Sequence, residues 1–385
     1  MREVVIVEAV RTPIGKRKGA LSTVRPDEML AGVLKELVKR ANISPEIVED
    51  VIIGCVSQVE EQGLNIARTA ALIADFPIHV PGTTIDRQCG SSQQAVHFAA
   101  QAILSGDMDV VIAGGVESMT RVPMGSTRLK SHASDELKSR YELINQGLSA
   151  ERIAEQWGYT RSQLDEFSIE SHRRAIQAQN EGRFDREIVP IEVTTEDGTK
   201  TLITQDEGPR RGTTMEKLAS LQTVFKENGV IHAGNASQIS DGAGVILLMS
   251  KEKAEELGLK PRFKVIARSV VGSDPTLMLT GPIDATKMVL SKAGLTIEDM
   301  DLYEVNEAFA PVPLCWMDEI GAEHSKLNVN GGAIAIGHPL GASGARVMIT
   351  LMHELERTGG KYGLQAICEG GGMANATIIE RIENA

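Results

Sequence analysis

Ile85-Asp86-Arg87-Gln88-Cys89-Gly90-Ser91-Ser92-Gln93-Gln94 joins two unlike neighbours. Before it, Pro81 to Ile85 holds two threonines and an isoleucine, β-branched residues that suit an extended strand. After it, Ala95, Val96, Ala99, Ala100 and Ile103 recur at helical spacing, so a helix begins close to Ser91 or Ser92. A strand turning directly into a helix is the building unit of an α/β domain. The turn also places Cys89 near unpaired backbone N–H groups, which together with the helix dipole favour a nucleophilic thiolate. A lone cysteine is more often a small buried hydrophobe. Arg87, Gln88, Gly90, Ser91 and Ser92 make poor core sequence, however, and favour a reactive thiol.

The same alternation runs outward from this stretch. Val4 to Val7 is a β-branched run, Asp27 to Arg40 carries apolar residues at helical spacing, Val51 to Val56 is a short apolar run, and Asn65 to Ile73 reads as helix. Val110 to Ala113 is an apolar strand, followed by Gly114-Gly115-Val116-Glu117-Ser118-Met119 as a loop. From Thr120 to about Ala233 the character changes to charge (Arg121, Arg128, Lys130), helices over Ala150 to Trp157 and Arg161 to Asn180, and a hairpin turn at Thr194 to Thr199. Such an excursion between two α/β halves is a common place for substrate specificity, although it also fits a lid or an oligomerisation arm. The α/β pattern resumes with Val245 to Met249, Phe263 to Arg268, a helix over Ala285 to Ala293, a strand at Leu302 to Val305 and a helix after Glu307. A glycine-entered helix over Gly341 to Leu355 and a strand at Gln365 to Cys368 complete it. Glycine turn, helix, apolar strand and glycine run occur in both parts, ending in Gly114-Gly115 and in Gly370-Gly371-Gly372. That echo suggests two similar halves meeting face to face, each with a reactive loop at the joint.

Composition narrows the function. The 385 residues suffice for roughly two or three domains. Acidic residues exceed basic ones by 52 to 40, a net charge of −12, and aromatic residues are few, which argues against a nucleic-acid binder. Cys55, Cys89, Cys315 and Cys368 lie far apart, as expected of thiols in a reduced, cytoplasmic compartment. Cys55 and Cys315 sit in apolar company and are expected in the core. The amino terminus reads directly as a strand, and no apolar run reaches membrane length, so a soluble, unexported protein without membrane insertion is expected.

Three more stretches supply what a nucleophile needs. Asn330 to Gly344 surrounds His338 with five glycines and Pro339, which hold the ring and let backbone approach closely. A phosphate turn is the competing reading, but G-x-G-x-x-G and the P-loop lysine are missing. His97, His172 and His353 lie in helical patterns and read as ordinary. Cys368-Glu369-Gly370-Gly371-Gly372-Met373 puts a second thiol at a strand end; with an ordinary pKa of about 8.5 it can trade protons, and the glycine N–H groups can face an oxyanion. A buried structural cysteine is the competing reading of Cys368. In Val305-Asn306-Glu307-Ala308-Phe309, Asn306 can orient a water and Glu307 can take a buried partner, although a helix-capping asparagine is the commoner case.

Cys89-Gly90-Ser91-Ser92, Asn306-Glu307-Ala308-Phe309, Gly337-His338-Pro339-Leu340-Gly341-Ala342-Ser343-Gly344 and Cys368-Glu369-Gly370-Gly371-Gly372, in this order and spacing, closely resemble the thiolase family. The resemblance covers essentially the whole chain, including Ala9 to Gly15, Gly114 to Met119, Gly234-Asn235-Ala236-Ser237 and Asp241-Gly242. It implies two similar layered α-β-α-β-α halves, residues 1–119 and 244–385, with a loop domain inserted over 120–243 that covers the CoA site and whose last strand region can return to the N-terminal half. It implies Cys89 as acyl-carrying nucleophile, His338 as its base, Cys368 as proton shuttle, Asn306 as holder of a water, and the N–H groups of Cys89 and Gly370 as oxyanion donors. CoA contacts would come from Arg210, Phe225, Ala233, Gly234, Ser237 and Phe309. CoA is then substrate, with no permanently bound cofactor and no metal. Acyl-CoA and CoA are the small-molecule partners, a homodimer or homotetramer is expected, and a multienzyme β-oxidation partner is a further option.

The implied activity is CoA-dependent cleavage of 3-ketoacyl-CoA. Asn145-Gln146-Gly147 stands where biosynthetic members carry His-Met-Gly, and Cys368-Glu369 stands where they carry Cys-Ile. Both departures favour the degradative type over an acetoacetyl-CoA thiolase working in the condensing direction. A non-catalytic acyl-CoA-binding relative and a ketoacyl synthase are the distant alternatives.

Overall fold

The structure, a computed structural model, describes residues 2–128, 133–194 and 198–383. Lys130 and the centre of the Thr194 to Thr199 turn lie outside the described residues, but the strands on either side of that turn do pair as an antiparallel hairpin.

Twelve strands are present among the described residues: β1 (Val4–Arg11), β2 (Gly15–Lys16), β3 (Asp50–Gly54), β4 (Gly82–Ile85), β5 (Val110–Ser118), β6 (Ile191–Thr194), β7 (Lys200–Ile203), β8 (Ser240–Ser250), β9 (Phe263–Gly272), β10 (Leu302–Val305), β11 (Tyr362–Glu369) and β12 (Met373–Arg381). Ten form one mixed sheet in the order β10-β11-β12-β9-β1-β8-β5-β3-β4, with β2 on β8. β1 and β9 touch through only two residue pairs, Val5 with Lys264 and Ile6 with Phe263, so the sheet divides naturally there.

The two parts share one pairing pattern. β1 pairs antiparallel with β8, β8 antiparallel with β5, and β5 parallel with β3. Likewise β9 pairs antiparallel with β12, β12 antiparallel with β11, and β11 parallel with β10. Even β4, parallel to β3, has a remnant in the parallel bridge from Leu327 to Tyr303 beside β10.

Alternating side chains place helices on both faces of each half-sheet. The helices Pro26–Arg40 and Ile66–Ile73 pack on one face of the N-terminal half-sheet, and Gly281–Ala293 and Pro311–Ile320 on one face of the C-terminal half-sheet. Between the half-sheets lie Ser91–Ser105 and Ser343–Thr358, sharing a core of Ala95, Ala99, Ile103, Met348, Ile349 and Met352. The α-β-α-β-α stack is thus completed by the two halves together, because each contributes one helix to the middle layer.

Two expectations change. β8 continues the N-terminal half-sheet through Ser250, so the division between halves falls between Ser250 and Phe263 and not at residue 243. Gly114 to Ser118 is not a loop but the buried end of β5. Its glycines are there for close approach: a Cβ on Gly115 would lie 2.0 Å from the carbonyl oxygen of Gly341, in the His338 loop of the other half. No helix among the described residues is long and apolar enough to cross a membrane.

Candidate active site

Cys89 sits where β4 turns into the Ser91–Ser105 helix. Gln88 takes a left-handed φ of 48°, and its N–H donates to Asp86 Oδ1 at 2.7 Å. The Arg87 N–H donates to Ser91 Oγ at 2.8 Å while that hydroxyl donates to the Gln88 carbonyl at 2.6 Å, which holds the turn closed. Cys89 packs with Met119, Leu340 and Ile367, so it touches both the His338 loop and the strand carrying Cys368. The N–H groups of Gly370 and of Cys89 itself face its sulfur.

The helix mouth does not make Cys89 a resting thiolate, as the sequence suggested. Burial, followed by the nearby Glu369 carboxyl, pushes the thiol up to about 12 against the help of those two N–H groups. Desolvating a charge outweighs two hydrogen bonds here. Cys368 is pushed well above the usual thiol range by burial, then by the proximity of Cys89 and Glu369. The two thiols therefore lie close enough that ionising one opposes ionising the other.

His338 comes in from the C-terminal half. Its Nδ1 lies 2.6 Å from Ser343 Oγ, and that hydroxyl donates to the Pro339 carbonyl at 2.8 Å. With its only proton committed to Pro339, the hydroxyl accepts from Nδ1–H, which leaves Nε2 as the basic nitrogen. Asn306 Nδ2 approaches Nε2 at 3.4 Å, and Asn306 Oδ1 is buried without a partner among the described residues. Burial, then Arg346, pulls the imidazole down to about 3, so it rests neutral.

The loop that bears His338 is clamped by carboxylates from both halves. Glu117 accepts from the N–H groups of Val56 at 2.9 Å, Ser57 at 3.0 Å and Gly341 at 2.9 Å, and from Gln62 Nε2 at 2.8 Å. Glu307 accepts from Ser171 Oγ at 2.7 Å, Asn328 Nδ2 at 2.9 Å and the Ile334 N–H at 3.1 Å. The buried partners of Glu307 are thus neutral donors. Asn306 does not cap a helix, since the next one begins at Pro311.

Gly370 opens the turn from β11 to β12, where Gly371 and Gly372 take φ of 87° and 78°, a conformation glycine adopts without strain. A Cβ on Gly370 would meet Gln146 Nε2 at 3.1 Å and Gln88 Oε1 at 3.3 Å. Gln146, from the first turn of the Gln146–Trp157 helix, therefore brings the loop domain against the site.

Four of the residues expected to contact CoA lie in two adjoining places. Arg210, Ala233 and Gly234 line a narrow cavity of about 40 Å³ with His172, Leu218 and Ile334. Phe225 lines an open groove of about 580 Å³ with Arg161, Thr223 and Lys226, and Leu221 borders both. Phe225 and Phe309 stack edge to face at 5.9 Å, and the Ser237 N–H donates to the Ala308 carbonyl at 3.0 Å.

Sequence reading passed over several contributors. His172, set aside as an ordinary helical histidine, accepts the Arg210 N–H at 3.1 Å and borders the narrow cavity. Ser343, Glu117 and Gln146 stood in or beside quoted motifs, but only their partners reveal a task. Cys55 and Cys315 are core residues, 0% and 1% exposed.

Two family models match this chain: "Thiolase, N-terminal domain" over residues 4–252 and "Thiolase, C-terminal domain" over residues 259–381. It is 47% identical to the steroid 3-ketoacyl-CoA thiolase FadA6 of Mycobacterium tuberculosis, covering 99% of this chain and 95% of the relative. It is 45% identical to a 3-ketoacyl-CoA thiolase of Aliivibrio fischeri, covering 99% of this chain and all of the relative (100%). It is 44% identical to an acetyl-CoA acetyltransferase of Chromobacterium violaceum, over 98% of this chain and 100% of the relative. The crystal structure of the Bacillus anthracis acetyl-CoA acetyltransferase superposes with a TM-score of 0.92 at 42% identity, covering 99% of each chain.

Proposed function

The chain belongs to the thiolase family of acyltransferases, and from that premise we propose that it cleaves 3-ketoacyl-CoA with free CoA, in the degradative direction. The observation that carries this reading is the pairing of Cys89, faced by the Gly370 N–H, with a second buried thiol, Cys368, close beside it.

Cys89 Sγ attacks the C3 carbonyl carbon while its proton passes to His338 Nε2. Neutral thiol and neutral imidazole are the resting forms, so the transfer proceeds as the sulfur bonds to carbon and its charge disperses. The C2–C3 bond then breaks, its electrons leaving as the enolate of acetyl-CoA, and Cys368 donates its proton to C2. The acyl group remains on Cys89 as a thioester, which divides one hard step into two. Cys368, now a thiolate, takes the proton of an incoming CoA thiol; the CoA sulfur attacks the thioester, and Cys89 leaves with the proton returned by His338. The N–H groups of Cys89 and Gly370 serve the tetrahedral oxyanion, and His338 with a water on Asn306 serves the enolate oxygen. Each well-placed donor contributes about 3 kcal/mol to lowering the barrier.

Arg210 would attract the CoA phosphates, with Phe225 near the adenine and Ser237, Ala233, Gly234 and Phe309 along the pantetheine. Gln146 against Gly370, where a biosynthetic member would place methionine, supports the degradative type. On the same reading the protein works in the cytoplasm as a homodimer or homotetramer.

The test is CoA-dependent thiolysis across a series from acetoacetyl-CoA to long-chain and ring-bearing 3-ketoacyl-CoA, with Cys89→Ala as blank. Cleavage of the longer or ring-bearing substrates is expected. Activity confined to acetoacetyl-CoA would replace this reading with the condensing one, and turnover by Cys89→Ala would remove the mechanism.

A further inference from the structure

Glu369 ends β11 beside Cys368, and the mechanism above leaves it idle. Its side chain is fully buried, and neither carboxylate oxygen has a hydrogen-bond partner among the described residues. Buried carboxylates normally have such partners, and Glu117 and Glu307 have five and three donors respectively. Glu369 instead lies against the backbone of the nucleophile turn: a Cβ on Gly90 would sit 1.9 Å from its Oε1. The charged groups facing it are Arg87 and Asp86, both on the segment between β4 and Cys89. Arg87 makes no ion pair with it among the described residues, and points a guanidinium nitrogen at Met373 Sδ, 3.8 Å away. Both thiols sense the Glu369 carboxyl, and Cys89 also senses Glu117.

An unpaired anion in such a place would oppose any negative charge forming on Cys89, because two like charges in one desolvated site cannot both ionise. We propose that Glu369 is a positioning residue for the nucleophile, a carboxyl packed under the Cys89–Gly90 turn that stays uncharged while Cys89 gives up its proton. Burial pushes Glu369 up to about 8, so near neutral pH it holds its proton and leaves Cys89 undisturbed. As pH rises past that value the anion forms and thiolate formation at Cys89 is held back.

This inference rests on Cys89 being the nucleophile, and its test does not require turnover. The rate at which iodoacetamide alkylates Cys89 in the full-length protein is followed from about pH 6 to about pH 10, with mass spectrometry locating the label. Wild type is compared with Glu369→Gln and with Glu369→Met, an apolar replacement of similar length that keeps the test open if the amide is poorly tolerated. The three proteins are expected to react alike at the acidic end. At the alkaline end both variants should react about tenfold faster, the effect of lowering the Cys89 pKa by about one unit. Parallel pH curves, or a uniform change at every pH, would overturn the role given to Glu369. Label arriving first on another cysteine would instead overturn the nucleophile assignment, and this inference with it.

Discussion

The N-terminal and C-terminal halves repeat one topology and put different chemistry at its corresponding places. Before the middle-layer helix, one half has the Cys89 turn and the other the His338 loop. Just past the parallel-paired strands β3 and β10 stand Cys55, packed in the core, and Asn306, beside His338. Strands β5 and β11 end in Glu117 and Ser118 on one side and Cys368 and Glu369 on the other. Only one carboxylate of this last pair is bonded: Glu117 clamps the opposite half's loop, whereas Glu369 is left without a partner among the described residues. The lesson is that equivalent backbone positions converge on one joint, and the side chains there divide the work. On the mechanism proposed above, one half would carry the acyl group and the other would handle most of the protons.

The largest effects should separate the two thiols. Cys89→Ala is expected to lose at least about 10⁴-fold in kcat and to form no acyl-enzyme, as removal of a covalent nucleophile does. Cys368→Ala should lose turnover to a similar extent while Cys89 remains open to alkylation, read by mass spectrometry. If Cys368→Ala also silenced Cys89 alkylation, the division of labour between halves would fail.

A middle-sized effect tests the His338 loop. Ser343→Ala removes the group that fixes the ring through Nδ1, so kcat should fall about 10- to 100-fold with KM little changed, a part of what a general base supplies. Steady-state kinetics at one pH suffice, and an effect confined to KM would move Ser343 from orienting the base to shaping the pocket.

The smallest effects contrast two glycines on opposite sides of the joint. Gly90→Ala would drive a methyl into Glu369 and should destabilise by about 1–3 kcal/mol, as overpacking does. Gly370→Ala would meet only the flexible Gln146 and Gln88 ends at 3.1 and 3.3 Å and keeps its N–H, so stability should barely change. Denaturant titration of both variants measures the difference, and equal losses would mean that Glu369 is free to swing away from Gly90.

Much of the fold was legible along the chain. Strand Leu302–Val305 and helix Arg161–Asn180 have the limits their patterns predict, because periodicity and caps such as the Thr160–Gln163 capping box act over a few residues. The true length of β5 was hidden, since a Gly-Gly pair reads locally as a loop and only the Gly341 carbonyl packed upon it explains a strand. The sequence order also concealed that Asn306 and Cys55 occupy equivalent places.

By itself the sequence determined which residue types could do the chemistry and which short segments would hold them, since those properties are local. Only the tertiary structure decided the resting states: Cys89 protonated despite its helix mouth, His338 neutral with Nε2 as its basic nitrogen, and Glu369 buried without a partner among the described residues. Protonation in a folded interior depends on desolvation and on charges from remote segments. Glu369 lies 280 positions beyond Cys89 in the chain and within reach of its charge in space.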